Sequence, residues 1–145
     1  MNRGEKAAGL FLEGHNCSQS VFGAFAGEFG VDSVLARKLS SGLGGGVGRT
    51  REVCGAVTGG VLALGLKFGP EKNDVYPAVQ RFCERFKSVA GSVVCRELLS
   101  GTGADCGGVA AERTAEYYRR RPCAELVRLA AEIVSEYVDE DGKVR

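Results

Sequence analysis

Six cysteines, at positions 17, 54, 83, 95, 106 and 123, are the side chains of this chain best suited to chemistry. A thiolate attacks disulfides and binds soft metal ions, so what matters is where each thiol sits and what ionises it. No C-x-x-C occurs, which excludes the thioredoxin-type motif, c-type haem attachment and the paired-knuckle zinc layout. The single histidine, His15, excludes His-rich metal sites, and no carboxylate stands at helical spacing from it as a di-iron site requires. His15 reads as a loop or capping residue, with a ligand or proton-donor role as the alternative. There is no G-x-S-x-G nucleophile motif. The glycine run at 42–48 fits G-x-G-x-x-G in no register, and no G-K-[ST] follows it, so a nucleotide fingerprint is absent.

Helices must position these thiols. Residues 3–13 predict a first helix ending near Gly14. Asn16 and Gln19 form an Asn-x-x-Gln capping box that starts a helix from Cys17 to about Phe29, with Val21, Phe22, Phe25 and Phe29 on one face and Gly30 closing it. Asp32 caps the next helix, through Val34, Leu35 and Leu39 to about Ser41. The run 42–48 breaks structure. Cys54 to Phe68 reads as a buried helix in which Gly55 and Gly59, Ala56 and Gly60, and then Ala63 recur at helical spacing, as close approach of another backbone requires; Gly69-Pro70 stops it. Asp74 to Ala90 carries an apolar stripe of Val79, Phe82, Phe86 and Val89, with Pro77 in its first turn. Ser92 caps a short helix over Val93 to Leu99, and residues 100–108 form a loop. Residues 110–120 predict a helix whose end, Arg119-Arg120-Arg121, reads as solvated, with an anion or partner site as the alternative. Pro122 takes a first helical position, and Cys123, Leu126, Ala130, Ile133 and Tyr137 make one face of the last helix. Residues 139–145 read as a frayed tail. No segment alternates as a strand. The expectation is an all-α, compact single-domain bundle of about five to seven helices spanning 1–145.

Four of the six cysteines, Cys17, Cys54, Cys95 and Cys123, then fall in the first turn of a helix. Amide groups there lack intrahelical partners and the helix dipole is positive, so a thiol ionises more easily. Four such helix starts converging would stabilise a cluster of thiolates and supply N–H donors to sulfur. Cys83, stacked between Val79 and Phe86, reads as a core filler, and Cys106 as an incidental or auxiliary thiol. Arg49 and Arg51, between the glycine run and Cys54, either lower a thiol pKa or face water.

Composition narrows the class further. Of 145 residues 44% are hydrophobic and the net charge is +1, which offers no field to recruit nucleic acid or anionic lipid. Six cysteines in a chain of this length fall below a disulfide scaffold. The longest apolar run, Val53 to Leu66, is shorter than the ~20 residues of a membrane span, and the stretch at 1–14 is too short for a signal core. The expectation is a cytoplasmic chain with reduced thiols and no membrane insertion.

The motif Cys54-Gly55-Ala56-Val57-Thr58-Gly59, followed by Gly60, resembles the central motif of the redox-active family named for its C-GCAxxG-C-C pattern. The upstream cysteine matches Cys17 in Asn16-Cys17-Ser18-Gln19, the third Cys95 in Cys95-Arg96-Glu97-Leu98-Leu99, and the fourth Cys123 in Pro122-Cys123-Ala124-Glu125-Leu126-Val127. Gly46-Val47-Gly48-Arg49 is also similar to the family. Cys83 and Cys106 stand outside the pattern. The resemblance implies a redox role for the four cysteines. A similar module accompanies the haem part of split-Soret cytochromes as an iron–sulfur domain; with no C-x-x-C-H here, no haem attachment carries over.

Three readings follow. In the first, Cys17, Cys54, Cys95 and Cys123 are the thiolate ligands of an iron–sulfur cluster that exchanges electrons with a redox partner protein. In the second, a metal-free thiol–disulfide protein, Cys54 attacks and Cys17 resolves. In the third, the same four cysteines close a zinc site that stabilises a helical binding domain.

Overall fold

A computed structural model describes residues 1–140. Among these residues there are eight right-handed α-helices: α1 (Arg3–Leu12), α2 (Cys17–Ala26), α3 (Ser33–Ser40), α4 (Gly55–Phe68), α5 (Lys72–Ala90), α6 (Cys95–Leu98), α7 (Ala115–Arg120) and α8 (Cys123–Asp139). This is one more than the upper expectation. Among the described residues there is no strand, only an isolated antiparallel bridge between Val53 and Val94, and no helix is long and apolar enough to cross a membrane.

The centre is the mutual packing of α2, α4 and α8; α1 covers the α2–α8 side, α5 the α4–α8 side, and α3 rides on α2. Helix α4 has no polar face to give to water. Ala56, Val57, Ala63 and Leu64 are all buried, as a helix apolar all round must be. Its glycines set how near the neighbours come. A Cβ on Gly59 would stand 2.7 Å from the Ser18 carbonyl oxygen of α2, and one on Gly60 2.6 Å from the Phe82 ring of α5. These approaches are the reason α4 tolerates residues that each cost about 1 kcal/mol of helix propensity.

The local signals at the helix starts hold. Asn16 accepts from the Gln19 amide at 2.9 Å while the Gln19 side chain accepts from the Asn16 amide at 3.0 Å, completing the box. Asp32 caps α3 through Leu35 N at 3.0 Å, and Gly30 closes the α2 end in a left-handed conformation.

In α3, Val34, Leu35 and Leu39 lie outward and only Ala36 and Ser40 are buried; small residues let α3 lie close on α2. Several expectations are corrected. Helix α5 begins at Lys72, so Pro77 is its sixth residue rather than in the first turn; the amide it lacks is missed only on an exposed face, where water serves. The inward stripe of α5 is Ala78, Phe82 and Phe86, and Val89 is 69% exposed. Residues 110–114 are not helical; helix starts only at Ala115, capped by Thr114. Pro122 is the cap of α8 rather than its first residue. Asp139, expected in a frayed tail, ends α8 and pairs with Arg3 at 2.9 Å; residues 141–145 of that tail lie outside the described residues.

Candidate functional site

The glycine run does not simply break structure. Gly45, Gly46, Val47, Gly48 and Arg49 all hold positive φ, as does Arg51, so residues 45–49 form a short left-handed turn. For the non-glycines this conformation costs about 1–2 kcal/mol each. The turn is closed by Glu52 N donating to Gly46 O at 2.8 Å and by the Thr50 hydroxyl donating to the same oxygen at 2.9 Å. It throws residues 51–54 alongside 93–96. Cys54 N donates to Val93 O at 2.8 Å, and Cys95 N donates to Glu52 O at 2.6 Å. Two cysteines forty-one positions apart are thereby set side by side. Gly46 is pressed into the joint, where a Cβ would stand 2.6 Å from that of Cys95.

Cys17 reaches the same place from α2. Asn16 donates through Nδ2 to Ser41 O at 2.9 Å, and a Cβ on Gly44 would meet Asn16 Cγ at 2.4 Å, so the cap of α2 is seated on the start of the turn. A Cβ on Gly55 of α4 would stand 3.1 Å from both Cys17 Cβ and Ser18 N. Cys123, first residue of α8, closes the ring. Cys17, Cys54, Cys95 and Cys123 line one cavity of about 250 Å³. Cys17, Cys95 and Cys123 each begin a helix, and Cys54 is the cap of α4. Cys83 is half-buried on α5 and Cys106 is exposed in a loop; neither lines the cavity.

The thiols are not alike. Cys17 and Cys123 act on each other as neighbouring thiols, which pulls the Cys123 thiol down and pushes that of Cys17 well up. Arg121, Arg113 and Arg51 add to the downward pull on Cys123. Burial pushes Cys54 up to about 12, against the opposing effect of the Ala56 and Val57 amides. The low thiol is therefore Cys123, whereas Cys54 had been expected to attack. Burial also raises Cys83.

Arginines supply the positive wall. Arg51 is only 5% exposed. Its Nη1 lies 3.6 Å from Cys95 Sγ, its Nε donates to Asp105 O at 2.8 Å, and its Nη2 is buried with no partner. Of the two outcomes weighed for the 49/51 pair, Arg51 joins the thiols. Arg49 ties down the loop over the site, donating to Gly107 O and Val109 O and pairing with Asp105. Arg113 donates to the carbonyls of Phe11 and His15, both at 2.8 Å, with its guanidinium 4.1 Å from the centre of the Phe11 ring. Arg121 lies over Tyr117 at 4.5 Å. The charge run thus divides: Arg119 and Arg120 pair with Glu116 in solvent, and Arg121 turns to the cavity. His15 itself does not line the cavity. Arg113 and Tyr117 carried no sequence signal; Arg121 did, through its place two residues before Cys123.

Among the described residues, no three cysteine, histidine or carboxylate groups converge closely enough to hold a single metal ion. The thiols ring a space instead.

No curated protein and no solved structure matches the chain. The sequence profile of a family described as "Putative redox-active protein (C_GCAxxG_C_C)" matches residues 15–137, a span that contains all four cavity cysteines. With most of its length matched, the chain belongs to the C_GCAxxG_C_C family.

Proposed function

We propose that the protein carries electrons through an iron–sulfur cluster held by Cys17, Cys54, Cys95 and Cys123. The observation that supports this most is the meeting of four thiols from four separate elements around one cavity of about 250 Å³ walled by Arg51, Arg113 and Arg121. A cluster needs four thiolates spread around an inorganic core rather than gathered on one point, and it supplies reversible electron storage when bound. Four thiolates gathered in a buried space repel one another and lose hydration. The guanidinium groups of Arg51, Arg113 and Arg121 offset that charge. The starts of α2, α4 and α8 add amide donors and positive dipole ends. The loop over residues 99–114, tied by Arg49 and Arg113, limits access of water. The partner is a donor or acceptor protein of the same electrons.

Anaerobic purification tests the reading. Iron and acid-labile sulfide in fixed ratio to the chain, with visible charge-transfer absorption lost in serine variants of the four cysteines, are expected. A colourless chain with neither element refutes it. Stoichiometric zinc without iron would replace it with the zinc-stabilised reading.

A second reading is favoured by the placing of Cys17 and Cys123 in one cavity, with the Cys123 thiol lowered and that of Cys17 raised. In it Cys123, as thiolate, attacks a partner's disulfide, releasing one partner thiolate; Cys17 gives up its proton and attacks the mixed disulfide, releasing the second. Two protein thiols are oxidised and one partner disulfide becomes two thiols. The raised Cys54 thiol supports Cys123, rather than Cys54, as the attacking group, with Cys17 still resolving. Thiol counts of the metal-free chain before and after reductant would differ by two, with Cys17 and Cys123 recovered as one linked peptide pair; an unchanged count removes this reading.

A further inference from the structure

Cys95 differs from its three companions in what stands behind it. Cys17, Cys54 and Cys123 open helices of 10, 14 and 17 residues. Cys95 opens α6, which is 4 residues long and has almost no dipole to offer. Arg51 stands in that place. Its side chain is more than nine-tenths buried, and its three nitrogens have three different fates. Nε is fixed by the Asp105 carbonyl, Nη1 faces Cys95 Sγ, and Nη2 is desolvated without an acceptor in the wall of the cavity. A guanidinium kept only to tie down the Asp105 loop would need the first contact and would leave its fork in water. Here the fork is turned inward, on a residue whose own backbone is left-handed at φ 61°. Burying a cationic N–H without a partner is unfavourable, so an acceptor in the cavity is what the geometry lacks.

We infer that Arg51 is a positioning residue of the redox centre, holding the Cys95 sulfur through Nη1 and presenting Nη2 as a hydrogen-bond seat for an anionic inorganic sulfur in the cavity. The inference rests on the cluster reading above. Donors to cluster sulfur favour the reduced, more negative state and raise the reduction potential. Arg51 therefore sets the potential without being a ligand.

The test uses the anaerobically purified, loaded chain. In the fraction that loads iron and sulfide, Arg51→Gln is expected to lower the midpoint potential in a redox titration, and Arg51→Lys, which keeps charge but loses the fork, to fall between it and the wild type. Wild type labelled with ¹⁵N in the arginine guanidinium is expected to show a nitrogen coupling to the reduced centre in pulsed electron paramagnetic resonance, lost in Arg51→Lys. That measurement needs only the wild type and its conservative variant, so a glutamine variant that does not fold leaves the question decidable. A loaded Arg51→Gln with unchanged potential, or a labelled wild type without the coupling, overturns the inference and leaves the cluster reading standing. A wild type without iron and sulfide overturns both.

Discussion

The seam between α2 and α4 sets how far apart Cys17 and Cys54 can be, and two glycines of the same helix test it against each other. An alanine at Gly59 would bring a Cβ to 2.7 Å from the Ser18 carbonyl oxygen and 3.1 Å from Ser18 Cα. Both are backbone atoms, so no side chain can swing aside. Ordinary contact begins near 3.4 Å, so the helices must part by roughly 0.7 Å, enough to forfeit a quarter or more of the dispersion energy of the atoms that separate. Overpacking of this kind costs about 1–3 kcal/mol, while alanine returns about 1 kcal/mol of helix propensity. The net expectation for Gly59→Ala is a loss of about 0–2 kcal/mol. At Gly65, in the same helix, a Cβ meets nothing within 4 Å. Gly65→Ala receives the propensity gain alone, up to about 1 kcal/mol. The two variants should therefore differ by about 1–3 kcal/mol in urea unfolding of the reduced, metal-free chain followed by circular dichroism. In the loaded chain Gly59→Ala should also retain less iron, since it moves Cys17 relative to Cys54. A Gly59→Ala chain as stable as Gly65→Ala would refute the close-packed seam and with it the account of how these two thiols are spaced.

Asn16→Ala removes the acceptor of the Gln19 amide and the donor to Ser41 O, and should cost about 1–2 kcal/mol in the same urea assay; a loss below a few tenths would deny the cap its part in seating α2. Cys54, held protonated up to about 12 against an ordinary 9.0, makes the metal-free native state bind a proton that the unfolded chain releases first. The stability this gives is complete below pH 9 and declines as pH rises toward 12, by at most about 4 kcal/mol over three units at about 1.36 each. Cys54→Ala should flatten that decline in pH-dependent unfolding, and an unchanged slope would contradict it. Cys123 has the opposite sign: its lowered thiol contributes stability above the ordinary thiol value that is lost as pH falls through its native one. Cys17→Ala, by deleting the largest cause of that lowering, should move the Cys123 midpoint upward in thiolate ultraviolet absorbance; an unmoved midpoint would show that the arginines alone set it.

What the sequence makes legible is whatever is decided within a few residues. Asn16 with Gln19, Asp32 with Leu35 and Gly30 at the end of α2 read correctly because each partner lies within a turn of the other. The placement of Cys17 at a helix start follows from the first of these signals, and that of Cys123 from Pro122 beside it. The stretch at 110–114 fails the helical expectation for a non-local reason: Arg113 spends its donors on the carbonyls of Phe11 and His15, 102 and 98 positions away. Leu35 and Leu39 share a face, as their spacing says, but periodicity cannot tell whether a neighbour covers that face, and among the described residues it stays about half exposed. The bridge that sets Cys54 beside Cys95 is one pair of residues, Val53 and Val94, too short to leave a strand pattern. Arg51 was visible as a cation near Cys54, yet its inward fork follows from a left-handed backbone that its residue type does not favour.

That left-handed segment explains why the glycines run from 44 to 48 and why they end where they do. Three non-glycine residues, Val47, Arg49 and Arg51, hold φ of 66°, 67° and 61°, and together they cost about 3–6 kcal/mol at 1–2 each. A right-handed or extended route through 45–51 would be easier for the backbone. It would also carry Arg51 Cα away from Gly46, whose missing Cβ leaves room for Arg51 and Cys95 at once. The hydrogen bonds closing the turn, Glu52 N and the Thr50 hydroxyl to Gly46 O, return part of that cost. What remains is tolerated because the same turn sets Cys95 against Cys54, seats the cap of Cys17 on Gly44 and points a guanidinium inward. Strain of this order persists only where surrounding structure over-determines it, as it does around sites of function. In this chain the strained residues and the convergence of the four thiols are one arrangement: relaxing the turn would relieve Arg51 and disperse the cysteines together.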